Sequence, residues 1–261
     1  MDIKDFFCRQ DEKPLDRLVY DGGFCGIFRT IGCIGDSLSS GEFEATDESG
    51  NKTYHDYFDY SWGQYLARMA GCKVYNFSRG GMTAKEYCES FAEQNGFWSK
   101  DKACQAYIIA LGVNDINHCE LGSTADIDPS CRFNNKPGFA GYYAQIVQRL
   151  KEIQPDAKFF LMTIPRGERN GKDNPLADAH ARLLYDLAEL FDNCYVLDFR
   201  KYAPVYDDEF REHFYLGGHL NPCGYLLTAR MTASYIDYIV RKYPEDFRQA
   251  GFIGTPHRYK E

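Results

Sequence analysis

Four short polar clusters in the chain contain the residue types that acyl transfer requires. The first, GDSLSSGE, places Ser37 directly after an apolar run. A serine acts as a nucleophile when a base accepts its proton and hydrogen-bond donors face the developing oxyanion. The clusters NFSRGGMT, GVND and GGHLNPCGY offer a glycine N–H, the side-chain amide of Asn114 and the imidazole of His219. Together they predict a nucleophile, a base and an oxyanion hole, provided that the fold brings them together.

The clusters follow short apolar runs that are typical of buried strands. Runs rich in Ile, Val, Phe or Tyr predict strands at 28–34, 73–77, 106–111, 158–164 and 194–197. Helical patterns separate these runs, and strands that alternate with helices pair in parallel through right-handed crossovers. We therefore expect an α/β fold, a three-layer α/β/α sandwich around a five-stranded parallel sheet with flavodoxin-like order.

The helical segments carry their own start signals. Apolar residues recur with helical spacing over 62–69 and 139–153, and Thr83 begins a capping-box pattern. Asn174 and Asn221 each precede a proline, which is the usual order of an N-cap and the first helical position. These signals predict helices between the strands and after the last one.

In an open parallel sheet, ligands bind beyond the carboxyl ends of the strands. We call the turns at these ends the rim, and the clusters with Ser37, Gly80 and Gly81, Asn114 and His219 are all expected there. His219 is the predicted base because its cluster follows the fifth strand and leads into the last helix. His213 is the closer competitor, and surface positions are predicted for the others: His55, His118, His180 and His257.

In their order and intervals, the clusters resemble the four blocks of the SGNH, or GDSL, hydrolase superfamily of esterases and lipases. The resemblance covers nearly the whole chain. It implies that Ser37 is the nucleophile and His219 the general base. It also implies oxyanion donors in the N–H of Ser37, the N–H of Gly81 and the side chain of Asn114, with the family spacing selecting Gly81 over its neighbour.

One residue departs from the superfamily pattern. Members usually have an aspartate three residues before the histidine, and here that residue is Leu216. Three alternatives stay open: a backbone carbonyl orients His219, an acid from elsewhere reaches it, or the site is inactive. We favour the carbonyl, which would still select the ring tautomer. We expect Leu216 to pack inward, so that an aspartate there would cost stability. The acids considered are Asp198, Asp207, Asp208, Glu209 and Glu212.

Two segments are expected to shape substrate choice. The acidic, tyrosine-rich connection 41–60 is predicted to be a partial lid or part of the rim, and 115–138 is expected to face the same rim. An acidic, aromatic rim does not suit long acyl chains or anionic substrates. We therefore expect a small-molecule ester, a small acyl group such as acetyl on a carbohydrate or similar neutral polyol.

Other polar residues on the rim are expected to have structural rather than catalytic roles. Asp36 and Asp115 are expected to brace turns rather than to bind a metal, and we expect no metal or cofactor. Arg166 is a candidate substrate-rim residue, although an ion pair with Glu168 is the favoured interpretation.

The composition limits the remaining partners. A net charge of −8 without a basic run argues against nucleic acid or an anionic membrane. The N-terminus lacks leader features and no apolar stretch approaches a membrane span, so we expect a soluble, cytoplasmic protein. The ten cysteines form no CxxC pair, which favours free thiols. We expect a hydrolase-like domain at 28–242 between an N-terminal extension, 1–27, and a C-terminal tail, 243–261.

Two other classes of protein remain open from the sequence. A carbohydrate-binding or scaffold protein could keep the fold without turnover, and it would bind ligand without reacting with a serine-directed label. A flavodoxin-like phosphate or nucleotide binder is disfavoured, because the GDSLSSGE loop lacks the GxGxxG and GxxxxGK[ST] patterns and the protein is acidic.

Overall fold

A computed structural model of the chain describes residues 2–168 and 173–260. Its strands are β1 Thr30–Gly35, β2 Glu42–Thr46, β3 Lys52–Asp56, β4 Lys73–Asn76, β5 Ala106–Ala110, β6 Lys158–Met162, β7 Cys194–Leu197, β8 Tyr215–Leu216 and β9 His219–Leu220. Five of them form a parallel sheet in the order β4-β1-β5-β6-β7. This is the flavodoxin-like order, so the predicted fold is confirmed.

Helices cover both faces of the sheet. They are α1 Ser37–Ser40, α2 Trp62–Ala70, α3 Ala84–Glu86, α4 Ala92–Gln94, α5 Phe139–Ile153, α6 Leu176–Leu190, α7 Phe199–Tyr202, α8 Asp208–Phe214, α9 Pro222–Lys242 and α10 Pro244–Phe247. A π-helical turn, Tyr87–Phe91, joins α3 to α4. Short 3-10 helices lie at Ile3–Phe6, Gly23–Ile27, Phe58–Tyr60, Lys100–Lys102, Thr124–Asp126, Arg132–Asn134 and Ala250–Phe252.

Side chains alternate between two cores because successive residues of a strand point to opposite faces of the sheet. In β6, Phe160 packs in the core under α2 and α9, whereas Phe159 and Leu161 pack in the core under α5 and α6. All three side chains are fully buried. Burial on both faces explains why the central strands read as continuous apolar runs.

The helix caps follow the sequence signals with two differences. Asn174 is not the N-cap of α6, because Pro175 takes that place and the helix begins at Leu176. The Asn221 side chain accepts the Gly224 N–H at 3.0 Å, and the Thr83 hydroxyl accepts the Glu86 N–H at 3.2 Å. In a full capping box, the Glu86 carboxylate would also accept the Thr83 N–H. Here that carboxylate pairs with Arg79 at 2.6 Å instead.

The N-terminal residues lie along α9. The Val19 N–H donates to the Ser234 hydroxyl at 2.9 Å, and the buried Arg241 pairs with Glu12 at 2.5 Å. At the other end of the chain, the Gln105 amide donates to backbone carbonyls of the segment that follows α10. All ten cysteines have free thiols, as expected. Across residues 2–168 and 173–260, the structure contains no helix with the length and apolarity needed to span a membrane.

The segment 41–60 is more ordered than the loop that we expected. Its first part is an antiparallel hairpin of β2 and β3, with Glu42 paired to Asp56 and Thr46 paired to Lys52. The carboxylate of Asp47 closes the hairpin turn by accepting the Asn51 N–H at 2.8 Å. The hairpin therefore presents fixed side chains to the rim.

The segment 115–138 does not face the rim over its whole length, contrary to expectation. Its middle part lies along α5, because Gln148 donates to the carbonyl of Asp128 at 2.7 Å and Arg132 pairs with Glu152 at 3.0 Å. Since α5 runs antiparallel to the strands, these contacts lead away from the rim.

Candidate active site

Ser37 begins α1 directly after β1. Asp36 is the N-cap, and its Oδ1 accepts the Leu38 N–H at 3.0 Å. The first N–H groups of a helix have no acceptor one turn back. The N–H of Ser37 is therefore available to a ligand beside its own hydroxyl.

The glycine turn after β4 is tied to β1. The Ser78 hydroxyl donates to the carbonyl of Cys33 at 3.0 Å. Gly81 has φ +70° and open space where a Cβ would lie, so its backbone stays accessible. A Cβ on Gly80 would instead overlap the carboxylate of Glu42. The glycine pair thus leaves one N–H accessible and makes room for one carboxylate.

Asn114 and the two buried aspartates connect the turns. Asn114 Nδ2 donates to the Met82 carbonyl at 3.2 Å and to Asp36 Oδ2 at 3.4 Å, and Asp115 Oδ1 accepts the Ala84 N–H at 2.9 Å. Burial raises the pKa of Asp36 to about 7 and that of Asp115 to about 6. Both carboxyls brace backbone turns as expected. The described part of the chain contains no cluster of three or more His, Cys, Asp or Glu residues that could hold a metal ion.

His219 lies on the short hairpin of β8 and β9, which packs against α1 and β2. Its Nε2 is 3.0 Å from Glu42 Oε1, and both side chains are 15% exposed. The Tyr54 ring packs edge-on against the imidazole, with 5.7 Å between the ring centroids. His219 Nδ1 is buried, and no hydrogen-bond partner for it lies among the described residues. The His219 ring therefore contacts a carboxylate, and this carboxylate belongs to a residue that is distant in the sequence.

The β2–β3 hairpin holds the histidine turn by a second carboxylate. Glu44 accepts the Gly218 N–H at 2.8 Å. The Tyr225 hydroxyl donates to the carbonyl of Glu42 at 2.7 Å and lies 3.5 Å from the carbonyl of Ser37. Burial raises the pKa of Glu42, and the neighbouring His219 opposes that effect. Hairpin, nucleophile turn and histidine turn are thus one connected unit.

The acids that we considered as partners of His219 are engaged elsewhere or make no such contact. Asp198 accepts the Thr163 hydroxyl at 3.2 Å, and Asp207 caps α8. In the described residues, no hydrogen bond or ion pair to His219 comes from any of the five: Asp198, Asp207, Asp208, Glu209 and Glu212. The favoured carbonyl contact is not found in the described residues either, since the ring pairs with Glu42.

Sequence reasoning missed Glu42, although its signal was present. The residue belongs to the GDSLSSGE cluster, five positions after Ser37. The strand-like runs EFEAT and KTYHD, on either side of the turn residues DESGN, are typical of a hairpin. The hairpin alone, however, does not reveal which residue faces His219.

Two further expectations about side chains are wrong. Leu216 is 53% exposed, so it does not pack inward, and an aspartate there would not be a buried charge. His180 is fully buried, because it shares the apolar face of α6 with Ala177, Ala181 and Leu184. Its Nε2 donates to the Leu111 carbonyl at 3.1 Å, and burial lowers its pKa to about 4. The other surface positions are confirmed: His55, His118 and His257.

Arg166 forms the ion pair that we favoured. Its Nη2 is 2.6 Å from Glu168 Oε1, and its side chain is about half exposed. The structure brings the turns of Ser37, Gly81, Asn114 and His219 to one end of the sheet. Among the hydrogen bonds of residues 2–168 and 173–260, none joins Ser37 to the His219 ring.

The sheet order and these four turns match the α/β/α fold of SGNH hydrolases. The protein family described as GDSL-like Lipase/Acylhydrolase matches residues 33–227. The chain therefore belongs to this family, and it is a carboxylic ester hydrolase. No curated protein matches the chain.

Several solved structures are similar to this chain in fold. A family two carbohydrate esterase from Clostridium thermocellum, in complex with cellohexaose, has a TM-score of 0.57 at 16% identity, over 88% of this chain and 66% of that one. A family 2 carbohydrate esterase with its carbohydrate-binding domain, from Corynascus thermopiles (Myceliophthora fergusii), has a TM-score of 0.53 at 17% identity, over 80% and 65%. A Lactobacillus plantarum protein has a TM-score of 0.57 at 17% identity, over 80% and 97%.

The chain thus spans about two thirds of the two carbohydrate esterase chains. At identities of 16% and 17%, these likenesses show the fold alone.

Proposed function

We propose that the protein hydrolyses a small acyl ester of a carbohydrate or similar neutral polyol through Ser37 and His219. The observation that carries this proposal is the arrangement of the rim in a member of the GDSL-like family. The turns of Ser37, Gly81, Asn114 and His219 stand together at the carboxyl end of one sheet.

The proposed reaction is acyl transfer to water in two steps. Ser37 Oγ attacks the ester carbonyl while its proton passes to His219. The resulting tetrahedral intermediate then releases the alcohol, which receives this proton from His219. Water then attacks the acyl-enzyme in the same way. Ser37 Oγ regains its proton, and the carboxylic acid leaves. The side chains of this chain thus supply every proton transfer.

The proposed oxyanion donors are the N–H groups of Ser37 and Gly81 and the amide of Asn114. The first N–H lies at a helix start and the second in a turn that is open to a ligand. The amide reaches the same rim because it bridges the turns after β1 and β4. Preorganised donors of this kind stabilise the charge that develops in the transition state.

The acyl group is proposed to be small. A cavity of about 50 Å³ lies beside α1. Its apolar lining includes Leu38, Trp62, Val113, Ile164, Pro165 and Leu220. Since about 10–15 Å³ is the least space that holds one water molecule, this cavity suits a few heavy atoms, as in acetyl, rather than a long chain.

The alcohol part is proposed to be a sugar or a similar polyol. Tyr54, Tyr57 and Tyr60 are each about half exposed on the segment that contacts His219. Aromatic faces of this kind suit sugar rings. Glu42, Glu44 and Asp56 make the same side acidic, which disfavours anionic esters. Two neighbours in fold are carbohydrate esterases, which supports the same substrate class.

The proposal is tested with short-chain aryl esters and acetylated oligosaccharides as substrates. We expect Ser37→Ala to abolish hydrolysis and labelling by a fluorophosphonate while the circular dichroism spectrum stays unchanged. Ser49→Ala, in the exposed hairpin turn, is the matched control and should behave as wild type. Turnover in a folded Ser37→Ala variant would remove Ser37 from the role. Sugar binding by the wild type without turnover or labelling would favour the binding-protein alternative.

A further inference from the structure

The position at which the superfamily usually has an aspartate holds Leu216 here, yet the His219 ring has a carboxylate partner. Glu42 Oε1 lies 3.0 Å from Nε2, in a pair whose side chains are both 15% exposed. At that exposure, the pair is screened less by solvent than a surface ion pair. Such a contact has a direct consequence for how the imidazole is held.

We propose that Glu42 is the positioning residue of His219, supplied by the β2–β3 hairpin in place of an aspartate at position 216. The inference rests on the proposed function, because it assumes that His219 accepts the Ser37 proton. It goes further by naming the group that orients the base and the element that delivers this group.

The backbone of Glu42 is held by α9 and by the hairpin. Its own carbonyl accepts the Tyr225 hydroxyl at 2.7 Å, and the residue pairs with Asp56 in the ladder of the hairpin. The second oxygen of the Glu42 carboxylate, Oε2, fills the space beside Gly80, where a Cβ would overlap it. The backbone of the residue is thus held, and the carboxylate lies between Gly80 and His219.

The histidine turn is held by the same hairpin. Glu44 accepts the Gly218 N–H at 2.8 Å, and the Tyr54 ring packs on the imidazole. The hairpin therefore contacts the backbone next to His219 as well as the His219 ring. Movement of the hairpin would move the base.

The pair also selects the ring tautomer. A carboxylate only accepts hydrogen bonds, so a neutral His219 ring carries its proton on Nε2. Nδ1 then keeps the lone pair. This nitrogen is buried and has no hydrogen-bond partner in the described residues. Nδ1 is therefore the nitrogen left to accept the Ser37 proton, and the carboxylate stabilises the imidazolium that forms.

Kinetics of three variants test the positioning role. We expect Glu42→Gln to lower kcat by about 100-fold to 10,000-fold, as loss of an orienting carboxylate does in serine hydrolases, with KM nearly unchanged. Glu42→Asp should recover part of the loss. Glu48→Gln removes the same charge from the exposed turn of the hairpin and should leave both constants at wild-type values. An unchanged or raised kcat in Glu42→Gln would overturn the proposal, since it would mean that the carboxylate is idle or blocks the cleft.

Chemical rescue separates positioning from a structural role. Glu42→Ala should regain at least about 10-fold in kcat when formate is added, because a free carboxylate can occupy the vacated place. Glu44→Ala, which affects the backbone of the turn, should gain nothing. Equal urea midpoints for wild type and Glu42→Ala confirm that the variant is folded. A folded Glu42→Ala variant that loses activity and is not rescued contradicts the inference.

Nitrogen NMR of histidine-labelled protein provides a readout that does not depend on turnover. The neutral His219 ring should carry its proton on Nε2, and a proton on Nδ1 would overturn the tautomer assignment. The two levels of inference fail differently. Activity that survives Ser37→Ala refutes the proposed function, whereas Ser37-dependent activity that is indifferent to Glu42 refutes only this inference.

Discussion

At the scale of single residues, Asn114 holds two turns together, and we propose that it also donates to the oxyanion. Its two amide hydrogens are directed to the Met82 carbonyl at 3.2 Å and to Asp36 Oδ2 at 3.4 Å. The second distance is long for an N–H···O hydrogen bond, so that contact is weak. A charged oxyanion accepts more strongly than a distant carboxyl oxygen and can take this hydrogen.

We expect Asn114→Ala to lower kcat by about 100-fold to 1,000-fold, the usual effect of losing one oxyanion donor. KM should change little, because the donor acts mainly on the transition state. Steady-state kinetics with an aryl acetate measures both constants. Asn117→Ala is the control, since Asn117 pairs with Asn174 on the exposed side of the same loop. An effect confined to KM would make Asn114 a substrate-binding residue.

At the scale of elements, the hairpin and the glycine turn after β4 meet at Glu42. A Cβ on Gly80 would overlap the end of a flexible side chain and not backbone. Such a side chain can move aside at little cost in folding free energy. We expect the added Cβ to displace the Glu42 carboxylate and so to weaken its contact with His219.

We therefore expect Gly80→Ala to remain folded and to lose kcat to an extent similar to Glu42→Gln. The double variant should be little worse than either single variant, because both changes remove the same contact. Gly251→Ala, where a Cβ meets open space, is the control. Independent, additive losses in the double variant would show that Gly80 acts on the site in another way.

At the scale of the whole molecule, the buried His180 links α6 to the turn that carries Asn114. Burial lowers its pKa to about 4, while an unfolded chain has a histidine pKa of about 6.5. Between these values the unfolded state binds more protons, so this residue makes stability fall as the pH falls. The buried carboxyls of Asp36 and Asp115 act oppositely, because their pKa values are raised and acidification favours their folded form.

The effect of His180 is isolated by comparing wild type with His180→Gln, whose amide can still donate to Leu111. From pH 6.5 to pH 4, wild type should lose up to about 3 kcal/mol that the variant does not lose. Urea unfolding at several pH values measures the difference. A constant difference between the two proteins across this range would contradict the assignment.

The sequence by itself determined the positions of the central strands, most of the helix starts and the turns that form the rim. These features follow from local periodicity, caps and motif order, which any stretch of chain carries within itself. The exact match of β7 and α5 to the predicted ranges 194–197 and 139–153 illustrates this. The side-chain contacts were decided by the tertiary structure. Glu42 meets His219, His180 is buried, and Leu216 is exposed because residues distant in the chain approach one another, and no local pattern records which side chains then touch.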